Sequence, residues 1–309
     1  MKESLRKLAP EFAGARILGA AVVALGVLCS SAWPQASSPE HPSIVVQGQT
    51  YTPHSIWARN MGTKEDQSEQ YPPHKIIDNL YYVGTKTLSS FLIVTPAGNI
   101  LIDSTYERNV PTIKKSVEQL GFKFSDIKIL LGNHAHGDHM QGDAMVKELT
   151  GAKVIVMAED VPALKAMKSG DKEHPIDQII HDGDSVSLGG VTLLAHLTPG
   201  HTHGATAWTT KAKEGGKTYD VVFFTSLRSP VPITPEVADE LTRSFKIVPT
   251  IACDVPLGDH PAQFGLWEKY PKVQKGKPNP YIDKPGCKLE AEIEEGMFHA
   301  ILEEQKASQ

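Results

Sequence analysis

The stretch Lys128–Gly142, "KILLGNHAHGDHMQG", places three histidines and an aspartate within six residues, directly after an apolar run. The run Ile127–Leu131 has the length and composition of a buried strand. Gly132 and Asn133 break it. His134, His136, Asp138 and His139 then fall on the loop that leads to a helix near Gly142. Loops on a rigid scaffold are where ligand-bearing side chains usually stand. His134 and His136, two apart on extended backbone, can point to one side. Asp138 and His139 follow as the chain turns and can address a second point. One segment can thus feed two metal positions, and imidazole with carboxylate suits zinc.

One loop cannot close two metal sites, so partners are expected at other strand ends. "LTPGHTHGATAW" (197–208) offers His201 and His203, and "DVPLGDHPAQFGLW" (254–267) offers His260. Each follows an apolar run at a glycine turn, as His134 does. His201 and His260 are the expected ligands, and His203 is expected at the rim or behind the ligands. His196 alternates within a strand and reads as a packing or exposed residue. His41, His54, His74, His174, His181 and His299 read the same way. Asp103, after "ILI", is either a solvated turn residue or the holder of a ligand imidazole.

Around this loop, strands and helices are mixed. "KIIDNLYYVG", "SSFLIVTPAG" and "NILIDST" read as an antiparallel meander. "NVPTIKKSVEQLGF" has apolar residues at helical spacing and Gly121 as a stop. "GDAMVKELTG" is a short helix, "KVIVMA" a strand, and "DVPALKAMKSG" a helix beginning with Asp160 as cap. "DSVSLGGVTLLAHLTPG" reads as a hairpin, "GATAWTTK" and "YDVVFFTS" as strands. "TPEVADELTRSFKIV" is a helix capped by Thr234, "CDVPLG" a strand, and "LEAEIEEGMFHAILEEQK" the last helix. Such mixing suggests an α/β fold with helices packed outside sheet.

Three regions are expected. Residues 1–36 read as a secretory signal: Lys2, Arg6, Lys7 and Arg16, then the apolar run "ILGAAVVALGVLC", then small polar residues, with cleavage after Ala32 or Ala36. An uncleaved anchor is the alternative, although the apolar run is short for a membrane span. Residues 37–75, rich in Pro, Ser and Gln, read as an irregular arm. Residues 76–309 are expected to form one domain. The expected location is the periplasm, with no membrane association after cleavage. There Cys253 and Cys287 read as one disulfide, two buried thiols being the alternative. The net charge of −5 carries no basic footprint for nucleic acid.

Over roughly residues 70–290 the chain resembles the metallo-β-lactamase superfamily, and within it the subclass B3 metallo-β-lactamases. The segments that carry the likeness are "KIIDNLYYVGT", "LSSFLIVTPAGNILID", "DIKILLGNHAHGDHMQG", "LTPGHTHGATAW", "FFTSLRSP", "LGDHP" and "NPYIDKPG". The resemblance implies an αββα sandwich, two mixed sheets face to face with helices outside, and two zinc ions at one sheet edge. His134, His136 and His201 would bind the first zinc, and Asp138, His139 and His260 the second. Asp138 would also orient the attacking water. Ser226 stands where other subclasses have a cysteine ligand, and the Cys253–Cys287 pairing is similar to a disulfide of some members.

The implied activity is hydrolysis of β-lactam antibiotics by a monomer. Several positions depart from the family pattern. Asn133 stands where Thr is common, Gln141-Gly142-Asp143 replaces Gly-Gly, His203 replaces Pro, and Arg228 replaces a Ser or Thr of the substrate-carboxylate pocket. Ser226 and Arg228 are the expected carboxylate partners, since a cation at 228 can still grip that group. Lactone or thioester hydrolysis on the same fold, and a periplasmic zinc-binding protein, are the alternatives.

Overall fold

The structure, a computed structural model, describes residues 41–169 and 171–308. The expected signal, residues 1–36, lies outside them. Among the described residues no helix is long and apolar enough to cross a membrane.

The first sheet has seven strands: β1 (His74–Ile77), β2 (Leu80–Tyr82), β3 (Phe91–Thr95), β4 (Gly98–Ile102), β5 (Ile127–Leu131), β6 (Lys153–Met157) and β7 (Gln178–Ile180), in the spatial order β7-β6-β5-β4-β3-β2-β1. β1 to β4 form the antiparallel meander, and β4 to β7 pair in parallel. The second sheet runs β8 (Ser185–Leu188), β9 (Val191–Leu197), β10 (Thr206–Glu214), β11 (Lys217–Phe224) and β12 (Val255–Gly258). Its first four strands are antiparallel, and β12 lies parallel to β11.

Alternation along the strands assigns the faces. Ile100, Ile102, Ile129 and Leu131 meet Leu193, Trp208, Phe223 and Leu257 between the two sheets. Leu101, Leu130 and Val154 face the other way, onto α2 (Val110–Gln119), α4 (Asp143–Thr150) and α5 (Val161–Ala166). The central strands are apolar on both faces because both are covered. Outside the second sheet, α6 (Pro235–Ile247) and α8 (Gly286–Ala307) pack through Leu241, Phe245, Ile293, Met297 and Phe298. The architecture is thus αββα. The one-turn helices α3 (Gly137–Met140) and α7 (Leu266–Lys269) punctuate loops.

Three expectations are corrected. The arm is not irregular: Ile44–Val46 pairs with Gln49–Tyr51, and α1 (Pro53–Met61) follows, begun by a Thr52–Ser55 capping box. Tyr51 and Ile56 are buried in the α6–α8 layer, and Arg59 Nη2 lies 2.5 Å from Glu290 Oε1. The last helix starts at Gly286, three residues before the apolar spacing begins. Asp160 stands at the N-cap position of α5, but its side chain makes no cap hydrogen bond; its carboxylate is engaged elsewhere. Cys253 and Cys287 are bonded, tying the approach to β12 to the first turn of α8.

Candidate metal centre

Four chain segments meet at one edge of the sandwich: the loop after β5, the β9–β10 turn, and the ends of β11 and β12. Asn133 joins the sheets there. Its side chain donates to the Phe224 carbonyl (3.2 Å), its carbonyl accepts from Thr206 N (2.7 Å), and its own N–H donates to Asp103 Oδ1 (2.8 Å). Trp208 Nε1 donates to the Gly132 carbonyl (3.0 Å).

At this edge two groups of three donors that share no residue form, each with ligand atoms within 4.8 Å of one another: His134, His136 and His201, and Asp138, His139 and His260; a third such set, His134, His139 and Asp259, overlaps both. The first three rings stand nearly edge to face, with centroids 4.7 to 4.8 Å apart. In the second group Asp138 Oδ2 lies 3.3 Å from His139 Nε2 and 3.8 Å from His260 Nε2. His134 and His139 sit side by side, 4.2 Å between centroids, so the groups adjoin. Asp138 and His139 face the second group because the backbone coils at His136 into α3, while His136 itself is extended.

Three of the five rings are held from behind by a hydrogen bond through Nδ1. His134 Nδ1 is 3.1 Å from Thr225 Oγ1 and 3.3 Å from Asp259 Oδ2. His201 Nδ1 is 2.7 Å from the Arg228 carbonyl, and His260 Nδ1 is 3.0 Å from the Thr87 carbonyl. Backing of this kind fixes the tautomer and leaves Nε2 for a metal. His139 differs: its Nδ1 lies 3.4 Å from Asp103 Oδ2, a charge contact in which neither atom is hydrogen-bonded. His134 Nε2 and His139 Nε2 are buried without a hydrogen-bond partner, an expensive arrangement that a bound cation relieves. The residues fit a divalent cation in each group.

Electrostatics agree with that fit. Burial, then the charge of His139, pushes His134 down to about 3. Burial also lowers His136, His201 and His260, so these imidazoles are neutral, the form that binds metal. Burial opposes the charge on Asp138 and Asp259, but neighbouring histidines outweigh it and hold both well below the usual carboxylate range. His139 is the exception. Burial disfavours its charge, yet Asp138, Asp103 and Asp259 together hold it well above the ordinary value. A cation amid those carboxylates, proton or metal, is favoured. Burial raises Asp103 to about 6.

Sequence reasoning missed three supports. Asp259 also accepts from Ser226 N (2.7 Å) and Ser226 Oγ (3.0 Å). Asp160 accepts from Ala135 N (2.8 Å), Gly204 N (2.8 Å) and Thr202 Oγ1 (3.0 Å), joining the two loops that carry His134, His136 and His201. A Cβ at Gly204 would lie 2.5 Å from Asp160 N, so this approach requires glycine. Beneath Asp103, Ser104 Oγ donates to Asp143 Oδ1 (2.5 Å), and Asp143 Oδ2 lies 3.1 Å from His174 Nε2, all buried. Asp103 and Thr105 hold positive φ (61° and 58°), a strained backbone at the foot of the site.

A cleft of about 160 Å³ opens over the donors, lined by Trp57, Asn60 and Met61 of α1, by Ser226 and Arg228, and by His136, Asp138, His201 and His260. Ser226 is 3% exposed. Its hydroxyl proton goes to Asp259, and it accepts from Gln263 Nε2 (3.0 Å). It therefore has no free donor for a ligand carboxylate, whereas the Arg228 guanidinium does. His203 lies off the cleft, beside Glu240 (2.8 Å).

Residues 84–214 match the family model described as the metallo-beta-lactamase superfamily. Among solved structures, the FEZ-1 metallo-β-lactamase from Legionella gormanii is 44% identical; the alignment covers 77% of this chain and 98% of that one, with a TM-score of 0.73. BJP-1, a subclass B3 metallo-β-lactamase of Bradyrhizobium japonicum, is 33% identical over 79% of this chain and 98% of that one, with a TM-score of 0.73. Among curated proteins, a hydroxyacylglutathione hydrolase of Hyphomonas neptunium is 34% identical over 106 residues, 34% of this chain and 37% of that enzyme. The match thus spans between 28% and 40% of the length of the first curated relatives.

Proposed function

The chain belongs to the metallo-β-lactamase superfamily, and from that premise we propose that it is an exported zinc hydrolase that opens the β-lactam ring of antibiotics. The fold implies a divalent metal, typically zinc. In this reading His134, His136 and His201 hold one zinc, and Asp138, His139 and His260 a second. Zinc so held supplies Lewis acidity toward the lactam carbonyl and lowers the pKa of water toward about 7.

The chain's own part is to hold the donor rings. Thr225 and Asp259 orient His134, the Arg228 and Thr87 carbonyls orient His201 and His260, and the Asp103 carboxylate lies beside His139 as a charge partner. Asp138, ionised at the cleft floor, is a ligand and also orients the attacking water. Arg228 offers a two-pronged guanidinium to the substrate carboxylate. Ser226, its hydroxyl committed to Asp259 and Gln263, braces the cleft wall beside it. No serine nucleophile or histidine base is assigned, because the cleft histidines are all ligands.

The observation that carries the lactam reading is the span of the likeness. It runs through 98% of FEZ-1 at 44% identity. Thioester hydrolysis is the second reading, favoured by the hydroxyacylglutathione hydrolases among the relatives. Export rests on the order of residues 1–36, and the Cys253–Cys287 disulfide suits an oxidising compartment. The mature protein is read as a periplasmic monomer acting on small molecules.

The test is a side-by-side assay of a chromogenic cephalosporin, a carbapenem and a glutathione thioester with zinc-loaded protein. The lactam reading expects kcat/KM for at least one lactam to exceed that for the thioester. The reverse order transfers the site to thioesters.

A further inference from the structure

We propose that His203, Glu236 and Glu240 form a further cation site, apart from the six candidate ligands, that takes zinc. Each offers one ligand atom, and these lie within 4.8 Å of one another. Glu236 and Glu240 are one turn apart on α6, so their carboxylates share a face. His203 reaches them from the β9–β10 turn.

A simple ion pair accounts for only part of this arrangement. His203 Nδ1 is 2.8 Å from Glu240 Oε1. Glu240 is 8% exposed, however, and its Oε2 is buried with no hydrogen-bond partner. A buried carboxylate oxygen left bare is costly. The charges acting on His203 are Glu240, Glu236 and Asp160, all negative. The Asp160 oxygens are already engaged by three donors, which leaves the two glutamates to meet a cation.

One imidazole and two carboxylates with water completing the shell suit zinc, whereas calcium and magnesium require more oxygens. Adjacent donors around tetrahedral zinc stand roughly 3.3 Å apart, from bonds of about 2.0–2.1 Å. The 2.8 Å pair must therefore widen by about half an ångström. The His203 side chain, 58% exposed, is free to turn that far as the metal displaces the shared proton.

The placement has a consequence. Helix α6 already grips the turn that presents His201. Ser244 Oγ donates to the Pro199 carbonyl (2.6 Å), and Leu241 packs so closely on Gly200 (φ +129°) that a Cβ there would lie 2.4 Å from Leu241 Cγ. A cation clipping His203 to α6 stiffens the same turn.

The experiment is equilibrium dialysis of zinc-loaded enzyme against micromolar free zinc, for wild type, His203→Ala and Glu236→Gln. Glu236 is exposed and outside the catalytic cleft, so its variant tests the site without disturbing the His201 turn. The expected result is one more equivalent on wild type than on either variant, with a zinc-edge anomalous peak between the three side chains. Equal binding by wild type and either variant overturns the site, whether because no extra ion binds or because it binds elsewhere. His203 and Glu240 then form an ion pair only.

Discussion

Asp259 Oδ2 lies 3.3 Å from His134 Nδ1, with neither side chain more than 1% exposed. The same carboxylate receives the N–H and hydroxyl of Ser226. One buried aspartate therefore orients a ligand ring and holds the cleft wall. Removing its charge is expected to weaken zinc binding about 10–100-fold. Chelator competition on Asp259→Asn against wild type measures this, and unchanged affinity would show that Asp259 serves Ser226 alone.

Asp160 ties the His134–His136 loop to the His201 turn through two backbone N–H groups. In Asp160→Ala both lose their acceptor in a buried setting. The expected loss is about 2–6 kcal/mol of stability, from two unmet donors at about 1–3 kcal/mol each. Urea unfolding of the zinc-free protein separates this from metal loss. A change below about 0.5 kcal/mol, the range of ordinary surface substitutions, contradicts the bridging role.

Glu294, on α8, is 1% exposed and both its carboxyl oxygens lack partners. Burial, then the charge of Glu290, raises it to about 8. A raised folded pKa gives stability that is complete below the unfolded value, about 4.5, and is lost as pH rises through 8. Glu294→Gln cannot ionise. Between pH 5 and 8.5 wild type should lose stability relative to the variant, as read by thermal midpoints, and parallel profiles would remove Glu294 as the cause.

The Cys253–Cys287 bond closes a loop with a sequence separation of 34. Chain-entropy arguments give roughly 3–4 kcal/mol for such a loop. The Cys253→Ser/Cys287→Ser pair should lower the urea midpoint accordingly, and reductant should lower wild type to match it.

Much of this was readable before any coordinates. The central strands were legible because they are apolar on both faces. The three loops that carry the candidate donors were legible because each follows an apolar strand at a glycine, Gly132, Gly200 or Gly258. What was not legible depends on contacts distant in sequence. Asp160 looks like a helix cap, and only the fold brings Ala135 and Gly204, 25 and 44 residues away, to its carboxylate. Asp259 was overshadowed by His260 beside it. The helix α1 carried a local signal in Thr52, Pro53 and Ser55, but its apolar face is essentially Ile56, and tertiary contacts hold it. Ser226 seemed free to bind substrate because its hydrogen bonds to Asp259 and Gln263 cannot be seen in a one-dimensional pattern.

The central claim is that six residues from three loops hold the metal that opens a lactam. The most direct measurement is β-lactam turnover during titration of the metal-free protein with zinc, followed by chelator and by zinc again. The account predicts turnover that rises to saturation at about two equivalents, vanishes with chelator and returns. Protein that binds the zinc yet leaves every lactam intact would contradict it.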